Sequence, residues 1–287
     1  MIMESRHRKC FLEGLIYYMK SVLFVRPVGR FITRFSRRVL MHKSHEFRPW
    51  NVFMVLNRDV GAMLVPGSRY YLYAWRYEEK PSSLFKCLLR MLRHGVFVDV
   101  GAYVGFYTVS AARHGWRVVA FEPNPINLIL LRYNTALHGV EDRVKIIGKA
   151  AGDVHGWARF SISSSPSESS FTKYLRNELK LVDVAMEVTT VDSILESLMK
   201  ENFGNVVMKV DVEGYGLRVL RGAIRTIKRF RPFILFEVHR TFDEEDEMYA
   251  LNMLKHLDYD FAVAEPRSIR NFIIYAYPIE KGCLCCE

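Results

Sequence analysis

Cysteine is scarce, five in 287 residues, with Cys10 and Cys87 isolated and Cys283, Cys285 and Cys286 crowded at the end. No two pairs stand at zinc-finger spacing, which argues against a structural zinc site. So few thiols suit a reduced interior, with a disulfide in the tail left open. Long apolar runs are missing too. In FLEGLIYYMKSVLFVRPVGRFITRFSRRVLMHK, the charges of Glu13, Lys20 and Arg26 interrupt every stretch, well short of the roughly 20 residues of a membrane span. No small-residue cleavage site follows, and basic residues continue to Lys43, so the segment does not read as a secretory signal. Acids are rare in the same region. Residues 1–50 hold 11 Lys/Arg against 3 Asp/Glu, a net +8 of the chain's +10, and the remainder holds 30 against 28.

The basicity therefore belongs to an N-terminal arm. It reads as two amphipathic helices broken near Pro27, whose basic residues are either the solvated face of packed helices or a surface for an anionic partner such as a membrane. The expectation is a cytoplasmic protein, with peripheral contact at the inner face of a membrane if the arm engages one. Half of the residues are apolar, enough for one large core. The division that follows is an arm at 1–50, a strand and helix lead-in at 51–95, a main domain at 96–278 and a Cys-rich tail at 279–287.

Within the lead-in, NVFMVLNRDVGAMLVPGSRYYLYAWRY suggests short strands punctuated at Gly61 and Pro66–Gly67, and SSLFKCLLRMLRHG a helix closed by Gly95. Strands and helices then alternate. VFVDV, RVVAF, RVKIIG, VVMKVDV and PFILFEVH are near-continuous apolar strands. FYTVSAAR, INLILLRYNTAL, DSILESLMK, GLRVLRGAIRTIKRF and EEDEMYALNMLKHL are helices, and YDFAVAE with NFIIYAY makes a closing hairpin around Pro266. Apolar strands of this kind, separated by helices, mean a mainly parallel sheet covered on both faces, the α/β class.

The first strand runs into Asp99, Gly101, Ala102, Tyr103 and Gly105, and the second ends at Phe121, Glu122, Pro123 and Asn124. In open α/β sheets ligands bind beyond the carboxyl ends of the strands, where the winding reverses. Glu122, 23 residues after Asp99, stands where an acid accepts hydrogen bonds from the hydroxyls of an adenosine ribose. A dinucleotide turn beginning at Gly101 needs glycine at 103 and 106, and this chain has Tyr103 and Phe106. S-adenosylmethionine has the adenosine without the pyrophosphate. Asp99 is suited to its ammonium, and the Gly101–Gly105 turn with the following helix N-terminus to its carboxylate.

FVDVGAYVGFYT, FEPNP, KVDVEGYGLRVLRGA and RPFILFEVH, in that order and spacing, resemble the FkbM family of S-adenosylmethionine-dependent methyltransferases over roughly residues 75–278. The resemblance implies a class I methyltransferase (Rossmann-like) fold: a seven-stranded sheet whose last strand is antiparallel. It also implies O-methylation of hydroxyl groups on sugars, glycans, lipid-linked or secondary metabolites. Tyr103 replaces the usual Asn of the family's turn, and Gly216 replaces an acid, where glycine at a helix start costs about 1 kcal/mol relative to alanine. Asp153, in AAGD after the third strand, falls where such enzymes read the adenine edge; a turn residue is the equal alternative.

Methyl transfer to a hydroxyl needs a group that takes its proton. Lys209 and Asp211 share one face of their strand, as do Glu237 and His239 of theirs, because side chains repeat every second residue. In the family's strand order those strands are neighbours, so Asp211, Glu237 and His239 converge. His239, with an unperturbed pKa near 6.5, is the preferred base, and Glu237 or Asp211 orients it. The alternatives are that His239 caps its strand, or that Asp211, Glu213 and His239 hold a divalent cation. The Ser-rich loop, Ser161 to Ser170, either closes over acceptor hydroxyls or is a solvated loop. Two competing functions remain. One is an RNA methyltransferase gripping phosphates with the arm, although DVEG is not the Asn/Asp-Pro-Pro-aromatic turn of base-amine methylation. The other is a non-catalytic membrane-associated protein that keeps the fold.

Overall fold

The computed structural model describes residues 52–57, 60–66, 79–163, 180–198, 204–239, 244–266 and 271–285. The N-terminal arm and most of the Ser-rich loop lie outside these, and so does the expectation of amphipathic helices around Pro27.

Strands β1 (Val52–Asn57) and β2 (Gly61–Pro66) form an antiparallel hairpin. Helix α1 (Glu79–Leu92) leads into β3 (Gly95–Val100), with every residue of β3 buried. Arg93 ends the helix in a left-handed conformation (φ 64°), and Gly95 opens the strand instead of closing the helix as the sequence suggests. The main run continues through α2 (Phe106–Arg113), β4 (Arg117–Phe121), α3 (Pro125–Leu137) and β5 (Val144–Ile147). Next come β6 (Ala150–Ala151), β7 (Gly156–Ser163), β8 (Lys180–Thr189) and α4 (Val191–Leu198). Strand β9 (Asn205–Val210) is followed by α5 (Gly216–Arg221), α6 (Ile224–Phe230), β10 (Phe233–His239) and α7 (Glu244–Lys255). Strands β11 (Tyr259–Pro266) and β12 (Asn271–Pro278) close the chain.

Seven strands pair in the order β11-β12-β10-β9-β3-β4-β5. The pairs from β10 to β5 are parallel, and β12 runs antiparallel between β10 and β11. The expected closing hairpin is present, and its second strand is the one inserted next to β10. Because side chains alternate along each strand, Val96, Val98 and Val100 pack with Leu195, Leu217, Ile227 and Leu254 on one face. Phe97 packs with Phe85, Leu89, Tyr107 and Leu131 on the other. WARFSI and the strand that runs through Val188 pair with β6 in a second, three-stranded sheet, β6-β8-β7, whose long β7/β8 ribbon bonds Ser161 Oγ to Asp183 at 2.7 Å.

Two features fasten the periphery. Asn134, wholly buried on α3, accepts from the Leu64 amide (2.7 Å) and donates to the carbonyls of Leu64 (2.9 Å) and Val104 (2.8 Å), tying the β1/β2 hairpin to the turn after β3. Cys87 of α1 and Cys285 of the tail form a disulfide, so the reduced state expected of the thiols does not hold for this pair. Among the described residues no helix is long and apolar enough to cross a membrane.

Candidate active site

The carboxyl ends of β3, β4, β9 and β10 present Asp99, Glu122, Lys209, Asp211, Glu237 and His239, all at positions that share one face of the sheet. Strands β3 and β9 are knitted there. The Asp211 amide donates to the Val100 carbonyl at 3.0 Å, and Gly101 (φ 82°) passes so close that a Cβ would lie 1.8 Å from the Asp211 carbonyl oxygen. Only glycine meets both demands.

The turn after β3 spends several amides internally. Gly101 and Ala102 both donate to the Phe121 carbonyl at 3.0 Å, Gly105 donates to Ala102, and Tyr103 donates to Glu122 Oε2 at 2.7 Å. The N-terminus of α2 is left as the turn's remaining source of N–H groups for an anion. Tyr103 adopts a left-handed backbone (φ 53°), a region that Asn tolerates better than other side-chain-bearing residues. Its link to Glu122 runs through the backbone amide, which the exchange of Asn for Tyr leaves in place. Asn124 is a helix cap: its side chain accepts from the Ile126 amide at 3.0 Å, with Pro125 opening α3. Pro123 joins the strand end to that cap.

Glu122, 4% exposed, also accepts from the Asn124 amide (2.9 Å) and the Asn127 side chain (3.2 Å). Burial pushes its pKa up to about 7, against the pull of those hydrogen bonds. Asp99, 1% exposed, accepts from Thr108 Oγ1 at 2.7 Å through Oδ2, while Oδ1 has no hydrogen-bond partner among the described residues. Burial raises its pKa too, opposed chiefly by the Lys209 ammonium. Asp153 pairs with Arg218 (3.3 Å), whose guanidinium lies over the Tyr215 ring, at the outer side of the loop after β6.

At the ends of β9 and β10 the residues predicted to converge do so. His239 Nε2 lies 3.4 Å from Asp211 Oδ1 and 3.7 Å from Glu237 Oε1. Lys209 Nζ holds Asp211 Oδ2 at 2.9 Å and sits over the Tyr107 ring. Burial works to raise the Asp211 pKa, but Lys209 and His239 outweigh it and hold the carboxyl well below its usual range. A further acid, Glu213, reaches His239 Nδ1 at 3.5 Å from a left-handed turn position (φ 47°). Burial alone would depress the imidazole pKa. Glu213, followed by Asp211 and Glu237, reverses this and pushes it up to about 10. The three carboxylates around His239 thus favour its protonated form. Glu213, grouped with Asp211 and His239 in the cation alternative drawn from the sequence, lies at the other ring nitrogen from Asp211 and Glu237.

A seven-stranded sheet with the seventh strand antiparallel beside the fifth, and acids at the ends of its first two strands, is a class I methyltransferase fold. The chain belongs to the Methyltransferase FkbM domain family, whose model matches residues 99–263. It is 30% identical over 168 residues to the hexuronic acid methyltransferase AglP of Haloferax volcanii, covering 56% of this chain and 62% of that one. Similar solved structures include Methyltransferase FkbM from Methylobacillus flagellatus, at TM-score 0.46 and 18% identity over 64% of this chain and 44% of that one. Another is an O-methyltransferase from Bacillus cereus in complex with SAH, at TM-score 0.44 and 12% identity over 86% of this chain and 96% of that one. The chain therefore spans less than two thirds of the first two proteins' lengths.

The family's cofactor is S-adenosylmethionine, and the residues present fit it. Asp99 Oδ1 is a buried acceptor lacking a donor, and Glu122 is a buried carboxyl whose ionised form gains from further donors. An ammonium and two ribose hydroxyls are donors of the required kinds.

Proposed function

We propose that this protein is an S-adenosylmethionine-dependent methyltransferase acting on a hydroxyl of a sugar-type acceptor. The observation that carries the reading is the convergence of Asp211, Glu237 and His239 beyond the ends of β9 and β10, beside the turn that binds the cofactor. Family membership supports the reaction type, and the hexuronic acid methyltransferase of Haloferax volcanii supports the acceptor class.

When bound, S-adenosylmethionine would supply an electrophilic methyl group on a sulfonium, with a neutral thioether as its leaving group. The chain's own residues do the rest. Asp99, Glu122, Ala102, Tyr103 and the Gly101–Gly105 turn position the cofactor, with Pro123 and Asn124 fixing the approach to α3 and Asp153 at the adenine side. Lys209 holds Asp211 ionised, which makes Asp211 a weak base and a good orienting partner. Glu237 takes the hydroxyl proton, and the His239 cation keeps both acids in place.

The arm extends the reading. Its net +8 suits the headgroup layer of an anionic membrane, where a lipid-linked glycan acceptor would be presented. The test is transfer of labelled methyl from S-adenosylmethionine into cell extract, fractionated into glycan, lipid, RNA and small-molecule pools. Label in glycan or lipid-linked glycan is expected; label confined to RNA overturns the acceptor assignment.

A further inference from the structure

The acids and the histidine at the ends of β9 and β10 stand further from one another than direct hydrogen bonds between them would place them. His239 Nε2 faces Asp211 Oδ1 at 3.4 Å and Glu237 Oε1 at 3.7 Å, both longer than a well-formed N–H···O bond of about 2.7–3.2 Å. One ligand atom from each of the three residues lies within 4.8 Å of the other two. Ligands held at about 2.0–2.2 Å by a single metal ion stand roughly 3–3.6 Å apart in octahedral or tetrahedral geometry. The two spacings from Nε2, 3.4 and 3.7 Å, lie at the upper end of that range or just beyond it, so a small adjustment brings three atoms around a common centre.

We propose that Asp211 Oδ1, Glu237 Oε1 and His239 Nε2 bind one divalent cation, which takes the place of the proton on Nε2. The proposal rests on the reading of these strand ends as the methyl-transfer site, and it assigns the histidine a different partner there. The surroundings are those of a built metal site. Glu213 Oε2, 3.5 Å from Nδ1, favours the ring hydrogen on that nitrogen by its charge, which leaves Nε2 as the nitrogen facing the other two carboxylates. Lys209 occupies Oδ2 of Asp211 at 2.9 Å, so Oδ1 is the atom presented to the ion. Glu237 and His239 are 5% and 4% exposed, which keeps two of the three ligands on rigid, buried strand positions. Two carboxylates with one imidazole form a donor set suited to manganese, magnesium or zinc. Three protein ligands leave room at the ion for an acceptor oxygen, whose proton is more acidic there than in water. The cation thus selects acceptors that present a hydroxyl oxygen.

The experiment uses the full-length protein, treated with chelator, dialysed and titrated with Mn²⁺, following free Mn²⁺ by paramagnetic resonance and heat by calorimetry. One saturable site is expected, with Zn²⁺ displacing the bound Mn²⁺. The isosteric changes Asp211→Asn and Glu237→Gln, and also His239→Ala, should each weaken Mn²⁺ binding about 100-fold or more. Glu213→Gln, which acts through the ring, should weaken it about 10–100-fold. S-adenosylmethionine binding by the same variants should stay within a few-fold of the parent. The proposal is overturned if neither Mn²⁺ nor Zn²⁺ binds saturably, or if all four variants bind Mn²⁺ as the parent does. A failure of the methyltransferase reading shows separately, as a parent protein that binds metal but not S-adenosylmethionine.

Discussion

The amide of Tyr103 donates to Glu122 Oε2 at 2.7 Å, so the acid proposed to hold the ribose also fastens the turn after β3 to the end of β4. The same carboxyl has its pKa raised by burial to about 7. A carboxyl raised on folding favours the folded state most below its unfolded pKa, near 4.5, and that contribution is lost as pH rises through about 7. Ligand-free protein should therefore lose stability over this window in urea titrations, and Glu122→Gln should remove that part of the loss. Ribose hydroxyls donate to the ionised form, so S-adenosylmethionine affinity should rise from pH 6 to pH 8. Glu122→Gln should flatten the rise and weaken binding by about 1–3 kcal/mol. Calorimetry that finds the parent's affinity falling with pH contradicts this role.

Turnover and cofactor binding should separate at the strand ends. Glu237→Gln and His239→Ala are each expected to lower turnover by about 10²–10⁴ while leaving S-adenosylmethionine affinity within a few-fold. A parallel loss of affinity would place these residues in cofactor binding instead.

Gly216 opens α5 against the Phe236 ring, where a Cβ would meet the ring carbons at 2.4 and 2.5 Å. What reads in the sequence as a weakened helix start is a close approach between α5 and β10. Gly216→Ala should destabilise the protein by about 1–3 kcal/mol, as overpacking does, in spite of alanine's better helix propensity. Combining it with Phe236→Leu should recover part of the loss; a stabilised Gly216→Ala in chemical denaturation would refute the packing argument.

The arm is tested by its charge. Full-length protein should bind anionic vesicles in a salt-sensitive manner, and removal of residues 1–45 should abolish this while S-adenosylmethionine binding persists. With tRNA as competitor, retention on tRNA but not on vesicles would reverse the choice of partner.

The parallel sheet is legible because its strands are buried on both faces and read as unbroken apolar runs, from VFVDV to PFILFEVH. The convergence of Asp211, Glu237 and His239 is legible for a related reason: alternation sets the face, and strand order sets the neighbours. Other parts leave no periodic trace. Glu213 reaches His239 from a left-handed turn, where strand alternation no longer applies. Asn134 sits in an ordinary helical pattern, and nothing local says that its amide will meet a hairpin 70 residues away. The Cys87–Cys285 pairing spans 198 residues, and β6 is two residues long. The raised pKa of His239 is likewise not legible from residue type, because it depends on carboxylates gathered from three separate positions, Asp211, Glu213 and Glu237.

The placement of β12 also governs the order in which the molecule can be completed. His239 pairs with Asn271 and Phe233–His239 lies against a strand that ends at Pro278, so on a ribosome β10, which bears Glu237 and His239, waits as an open edge. The turn after β3 and its partners on β4 and β9 emerge earlier. A nascent or truncated chain lacking residues beyond 270 thus exposes the apolar run FILFEV to other chains, the kind of edge that seeds aggregation.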